Sequence, residues 1–121
     1  MNGWLTRSFS PPELESWFRK QDKSLRRAVL FTVELLEEYG PQLSQPYADT
    51  LKGSKLKNLK ELRVQHKGNP YRLLYAFDPK RQAILLTGGN KASDKRWYER
   101  AIRQAERIFE AHLAALDEEE A

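Results

Sequence analysis

A dense apolar run, Tyr71 to Phe77 (YRLLYAF), lies between two stretches of turn chemistry and narrows the possible folds sharply. His66-Lys67-Gly68-Asn69-Pro70 precedes it and Asp78-Pro79-Lys80-Arg81 follows, so the run reads as a strand between two reversals. Upstream, Leu62 and Val64 alternate with Glu61, Arg63 and Gln65, the period-two pattern of a strand with one wet face. Downstream, Gln82 to Thr87 (QAILLT) reads as a third strand, broken by the turn Gly88-Gly89-Asn90. A three-stranded meander is therefore the expected centre of the molecule.

Helical periods flank this meander. Gly3 to Arg7 suits a short first strand, and Ser10-Pro11-Pro12-Glu13 reads as a helix start in which Ser10 caps and Glu13 completes a capping box. Leu14, Trp17 and Phe18 then share one helical face. Asp22 is a second cap, followed by Leu25, Val29, Phe31, Val33, Leu36 and Tyr39 near helical spacing, and Gly40-Pro41 stops that helix. Residues 41–58 have no clean period and read as a long loop. Ser93 or Asp94 caps a last helix carrying Trp97, Ala101, Ala105, Phe109 and Leu113, and residues 117–121 read as a frayed acidic tail. The expected class is α+β: an N-terminal strand and helical hairpin, an antiparallel sheet of about four strands clad on one face by helices, and a C-terminal helix. Residues 1–116 form a single domain in this reading, since 121 residues suffice for one core without staples. The uncovered sheet face is where Arg63 is expected to point.

Several function classes are excluded early. Cysteine is absent, and His66 and His112 are too far apart in sequence to form a compact metal motif. No phosphate-binding glycine loop or nucleophile elbow is present. Glu61, Asp78, Asp94, Glu99 and Glu106 are scattered along the basic half of the chain, so no carboxylate cluster for two-metal hydrolysis is expected. No metal or cofactor is expected. No apolar run approaches the length of a membrane span, which makes a soluble cytoplasmic protein the expectation.

Charge supplies the positive clue. Residues 52–107 carry 15 Lys and Arg against 5 Asp and Glu, whereas residues 108–121 carry five acids and no base. One continuous half of the domain is thus strongly basic, as a surface that meets phosphates would be. Lys52, Lys55, Lys57 and Lys60 precede the meander, Arg63 and Arg72 lie on its strands, and Lys91, Lys95 and Arg96 follow it. Such groups suit cleavage of RNA by its own 2′-hydroxyl, which needs no metal but needs cations to stabilise charge on the phosphoryl oxygens. Trp97, Tyr98 and Tyr71 stand near the cations and could stack on unpaired bases. The candidate set is Arg63, Arg72, Lys91 and Tyr98 at the reacting centre, with Lys55, Lys57, Lys95, Arg96 and His66 contacting RNA. A solvated lysine-rich face and a core Trp97 are the plainer readings of the same residues.

The ordered segments Leu51-Lys52-Gly53-Ser54, Lys60-Glu61-Leu62-Arg63-Val64, Tyr71 to Pro79, Ile84 to Lys91 and Arg96-Trp97-Tyr98-Glu99 resemble the RelE/ParE toxin superfamily, most nearly its HigB or phage Gp49-like branch. The resemblance implies a compact α+β toxin paired with an antitoxin, typically a helix-turn-helix protein, with operator DNA met only through that complex. It also implies ribosome-dependent, metal-independent cleavage of mRNA to a cyclic phosphate. Arg63, Arg72 and Lys91 match basic strand-end positions of the motif. A histidine that some relatives place after the last strand is missing, which leaves Tyr98, Lys95 and His66 as alternative general bases. A non-catalytic ParE-like binder of DNA gyrase and an inactive prophage-derived relative are the rival readings.

Overall fold

A computed structural model describes residues 8–120, so the expected strand at Gly3 to Arg7 lies outside the described residues. The elements are β1 (Ser8–Phe9), α1 (Pro12–Arg19), α2 (Lys23–Tyr39), β2 (Ala48–Thr50), β3 (Lys60–His66), β4 (Asn69–Phe77), β5 (Ala83–Asn90) and α3 (Trp97–Glu120). The sheet runs in the order β1-β5-β4-β3-β2, antiparallel except where β1 lies parallel to β5. The meander is therefore β3-β4-β5, as its turns dictate.

Local chemistry sets most boundaries. Asp22 caps α2 by accepting a hydrogen bond from the Leu25 amide at 2.8 Å, and Gly40 ends it with φ of 57°, which a side chain would disfavour. Ser10 does not cap α1. Pro11 takes that position in an extended conformation because the following Pro12 excludes the helical one, and the Ser10 hydroxyl turns to Glu15 instead. The segment expected as a loop contains β2, whose three residues are too few to show a period but pair Ala48 with Leu62 and Thr50 with Lys60. Gly88 and Gly89 belong to β5 rather than to a turn. Asp117 to Glu120 continue α3 instead of fraying.

The larger correction concerns the sheet's second face. Leu14, Leu25, Val29 and Leu36 from α1 and α2 bury against Leu62, Val64, Leu73 and Tyr75 on one side. Trp97, Ala101, Ala105 and Phe109 from α3 bury against Leu59, Leu74, Ala76, Ile84 and Leu86 on the other. Helices thus cover both faces, since an apolar stripe of this length must be removed from water and only the second face was free. Phe31 and Tyr39, placed in the α2 stripe by spacing, are exposed. A register shift between Leu74 and Tyr75 moves the alternation along β5 by one residue. Ile84, Leu86, Thr87 and Gly89 therefore all face α3, Thr87 through a hydrogen bond to Gln104 and Gly89 against Trp97.

The far half of α3 is tied down by a buried carboxylate. Asp78, in the β4–β5 turn, lies 2.8 Å from His112 Nε2 and accepts from Gln82 and from the Lys80 and Gln82 amides. Burial alone would raise its pKa, but these hydrogen bonds outweigh burial and hold it below the ordinary aspartate value. A carboxyl depressed in the folded state contributes stability above its unfolded pKa and loses it as pH falls through the folded one. Asp78→Asn is therefore expected to be less stable by about 1.5–3 kcal/mol at neutral pH. In urea denaturation the gap to wild type should narrow below about pH 4; a gap independent of pH would contradict this account.

Candidate active site

The patch begins with Glu61, a carboxylate on the face of β3 opposite to Leu62 and Val64. Its residue is only 2% exposed although it lies on the strand's expected wet side. Three side chains converge on it. Arg63, two residues along the same face, donates from Nε to Glu61 Oε2 at 3.0 Å. Tyr98, in the first turn of α3, donates its hydroxyl to Glu61 Oε1 at 2.6 Å. Arg72, the cross-strand partner of Arg63 on β4, brings Nε to 3.5 Å from the same oxygen, an ion pair too long for a hydrogen bond. A buried carboxylate is costly unless paired, and here it is paired on several sides.

Further contacts fix the guanidinium groups. Arg63 reaches Asp49 of β2 at 3.0 Å, and Arg72 donates to the Tyr71 carbonyl at 3.0 Å. The Arg63 side chain remains 34% exposed and that of Arg72 13%, so the first still faces solvent. The hydrogen bond to Glu61 holds the Arg63 pKa above its ordinary value. Lys91, anchored by its amide to the Pro70 carbonyl, sets its ammonium 5.4 Å from the centre of the Tyr98 ring. Burial, reinforced by the Glu61 hydrogen bond, pushes the Tyr98 hydroxyl up to about 12. Tyr98 thus stays protonated at neutral pH and donates a hydrogen bond to Glu61.

The position of Tyr98 depends on a close approach. A Cβ at Gly89 would lie 2.9 Å from Trp97 Nε1, so the missing side chain lets the indole settle on β5. Trp97 and Tyr98 then meet edge to face at 5.1 Å between ring centres, and Tyr98 reaches Glu61 across the sheet.

The structure thus gathers Arg63, Arg72, Lys91 and Tyr98 on the part of the second sheet face beside the start of α3. Lys95 and Arg96 are exposed in the turn just before α3, at the rim of this patch. Lys55, in the connection between β2 and β3, lies along the flank of α3, its ammonium 2.9 Å from Glu110 and its amide on Glu106, while Lys57 is exposed in the same connection. His66 is separated from the patch. It shares the face of Leu62 and Val64 and meets Ser24 at the start of α2, with 2.9 Å between Nε2 and the hydroxyl. Glu61 and Asp49 were not expected at this site; the shared parity of Glu61 and Arg63 was the available signal for the first. Among the described residues no group of three or more His, Asp or Glu side chains is placed to hold a metal ion. Nor is any described helix long and apolar enough to cross a membrane.

Residues 16–110 match the family model described as "Phage derived protein Gp49-like". Two proteins of Mycobacterium tuberculosis are similar along most of the chain. "Putative toxin HigB2" is 42% identical over 107 residues, covering 87% of this chain and 53% of that protein. "Putative toxin HigB3" is 43% identical over 105 residues, covering 86% of this chain and 90% of the other. The chain therefore spans about half the length of the first and most of the second. Among solved structures, a chain of the archaeal RelE-RelB complex from Pyrococcus horikoshii shares the fold with a TM-score of 0.60 at 17% identity, covering 74% of this chain and 99% of that one.

Removing Glu61 leaves Arg72 without a carboxylate partner and Arg63 with Asp49 alone. Glu61→Ala is expected to destabilise the fold by about 3–5 kcal/mol in chemical denaturation. Tyr98→Phe, which removes one donor to the carboxylate, should cost about 1.5–3 kcal/mol. A Glu61→Ala variant as stable as wild type would contradict the pairing described.

Proposed function

We propose, on the premise that this chain belongs to the phage-derived Gp49-like family, that it is the toxin of a toxin–antitoxin pair and cleaves mRNA at the ribosome. Its likeness to two proteins named as HigB toxins, and its sharing of a fold with a chain of a RelE-RelB complex, support a toxin held in check by a protein antitoxin. A helix-turn-helix protein fits that partner. The observation that carries the nuclease reading is the convergence of Arg63, Arg72 and Lys91 on one partly open patch.

The chemistry runs on the substrate's own nucleophile. The ribose 2′-oxygen attacks the adjacent phosphorus and loses its proton. The 5′-oxygen departs and gains one, leaving a 2′,3′-cyclic phosphate upstream and a 5′-hydroxyl downstream. Negative charge builds on the phosphoryl oxygens along the way, and preorganised cations stabilise it more in the transition state than in the bound substrate. Arg63 and Lys91 provide accessible charge. Arg72, backed by Glu61 and the Tyr71 carbonyl, provides a guanidinium that reorganises little when charge develops. Tyr98 acts through Glu61 as a positioning residue, and Lys55, Lys57, Lys95 and Arg96 lend sequence-independent attraction for RNA.

Expressed without antitoxin in a bacterial host, the wild-type chain is expected to arrest growth and cut transcripts mapped by primer extension. Arg72→Ala should restore growth and slow cleavage by about 100- to 1000-fold. Growth arrest with intact transcripts, accompanied by inhibited gyrase supercoiling, would replace the nuclease with a gyrase poison.

A further inference from the structure

Across the outer edge of β3 from the patch, on the side of α2, lies a depression of about 530 Å³ that the chemistry above does not use. Its walls include Arg27 and Phe31 of α2, Tyr47 ahead of β2, and Arg63 and Gln65 of β3. Phe31 and Tyr47 are 54% and 40% exposed, and their rings meet edge to face at 6.4 Å between centres. Two aromatic side chains thus stay in water although neither is needed by the core.

The backbone is open here as well. β2 pairs with β3 only as far as Leu62, and the Arg63 amide donates to the Tyr47 carbonyl at 2.8 Å. Groups two residues on point the same way, so the amide and carbonyl of Gln65 face the depression, and no described strand pairs with them there. The exposed Gln65 side chain adds a further donor and acceptor.

We infer that this depression is a nucleobase subsite for single-stranded RNA, taking the base next to the linkage held at Arg63 and Arg72. An unpaired base offers a π face to Phe31 or Tyr47 and an edge of donors and acceptors to Gln65, the combination by which single-stranded RNA is read. Arg27 and Arg63 line the depression and no carboxylate does, which suits a polyanion. Arg63 lines the depression at the β3 edge while its guanidinium ion-pairs with Glu61 in the patch on the other sheet face, so one RNA strand passing over that edge would meet both. The inference rests on the nuclease reading for its substrate and adds base preference to it.

A 2′-O-methyl hexanucleotide with 2-aminopurine at successive positions tests this, since it cannot be cleaved. The wild-type chain is expected to quench the fluorophore at one position. Phe31→Ala, a change at an exposed side chain whose fold circular dichroism can verify, should abolish the quenching and weaken binding at least about fivefold. Phe31→Trp should retain both. Quenching at no position, or equal quenching by wild type and Phe31→Ala, would overturn the subsite. So would loss of antitoxin binding in Phe31→Ala with RNA quenching unchanged. Uncut transcripts from a wild-type chain that still quenches would instead count against the nuclease reading alone.

Discussion

The site is organised by one carboxylate out of water. Glu61 is buried between two sheet arginines and the hydroxyl of Tyr98, and each depends on it differently. Arg63 and Arg72 stand opposite each other on adjacent strands, where like charges repel, and Glu61 is the counter-charge that lets both remain. Isolated, the carboxylate would be too costly to bury; surrounded, it holds the guanidinium groups in place. Asp49 restrains the exposed side of Arg63 in the same manner.

The rest of the fold makes this arrangement possible by dividing the two sheet faces. The helical hairpin takes the face carrying Leu62, Val64 and Leu73, leaving Glu61, Arg63 and Arg72 on the other. α3 covers that second face from Leu59 to Leu86 and begins beside the cationic patch, so its first turn supplies Tyr98 as a wall. Gly89 admits the Trp97 indole, and the register shift in β5 lets Thr87 grip Gln104 further along α3. The Asp78–His112 contact secures the helix toward its other end.

Much of this is visible in the residues themselves, and the failures have identifiable causes. The meander, the Asp22 cap and the Gly40 stop follow from turn and capping chemistry that acts within a few residues. Alternation along β3 and β4 placed Arg63 and Arg72 on one face. The same alternation, carried one step each way, puts Glu61 with Arg63 and puts His66 with Val64, so both lay within reach of a strict parity argument. The cladding of the second face did not. An amphipathic stripe shows that a helix is buried without showing against which side of a sheet, and that is decided only by tertiary packing. β2 was illegible because three residues carry no period, and Tyr98 was ambiguous because its partner lies 37 residues away in sequence.

The central proposal is that the cations gathered over Glu61 act on one ribose–phosphate linkage and let its own 2′-oxygen do the cutting. The most direct measurement is cleavage of a defined mRNA on programmed ribosomes, with the ribose at the mapped cut site replaced by its 2′-deoxy form. The account predicts that this one substitution abolishes cleavage there, and that the unmodified message yields 2′,3′-cyclic phosphate and 5′-hydroxyl ends. Cutting that persists at the deoxy position, or ends bearing a 5′-phosphate, would contradict it.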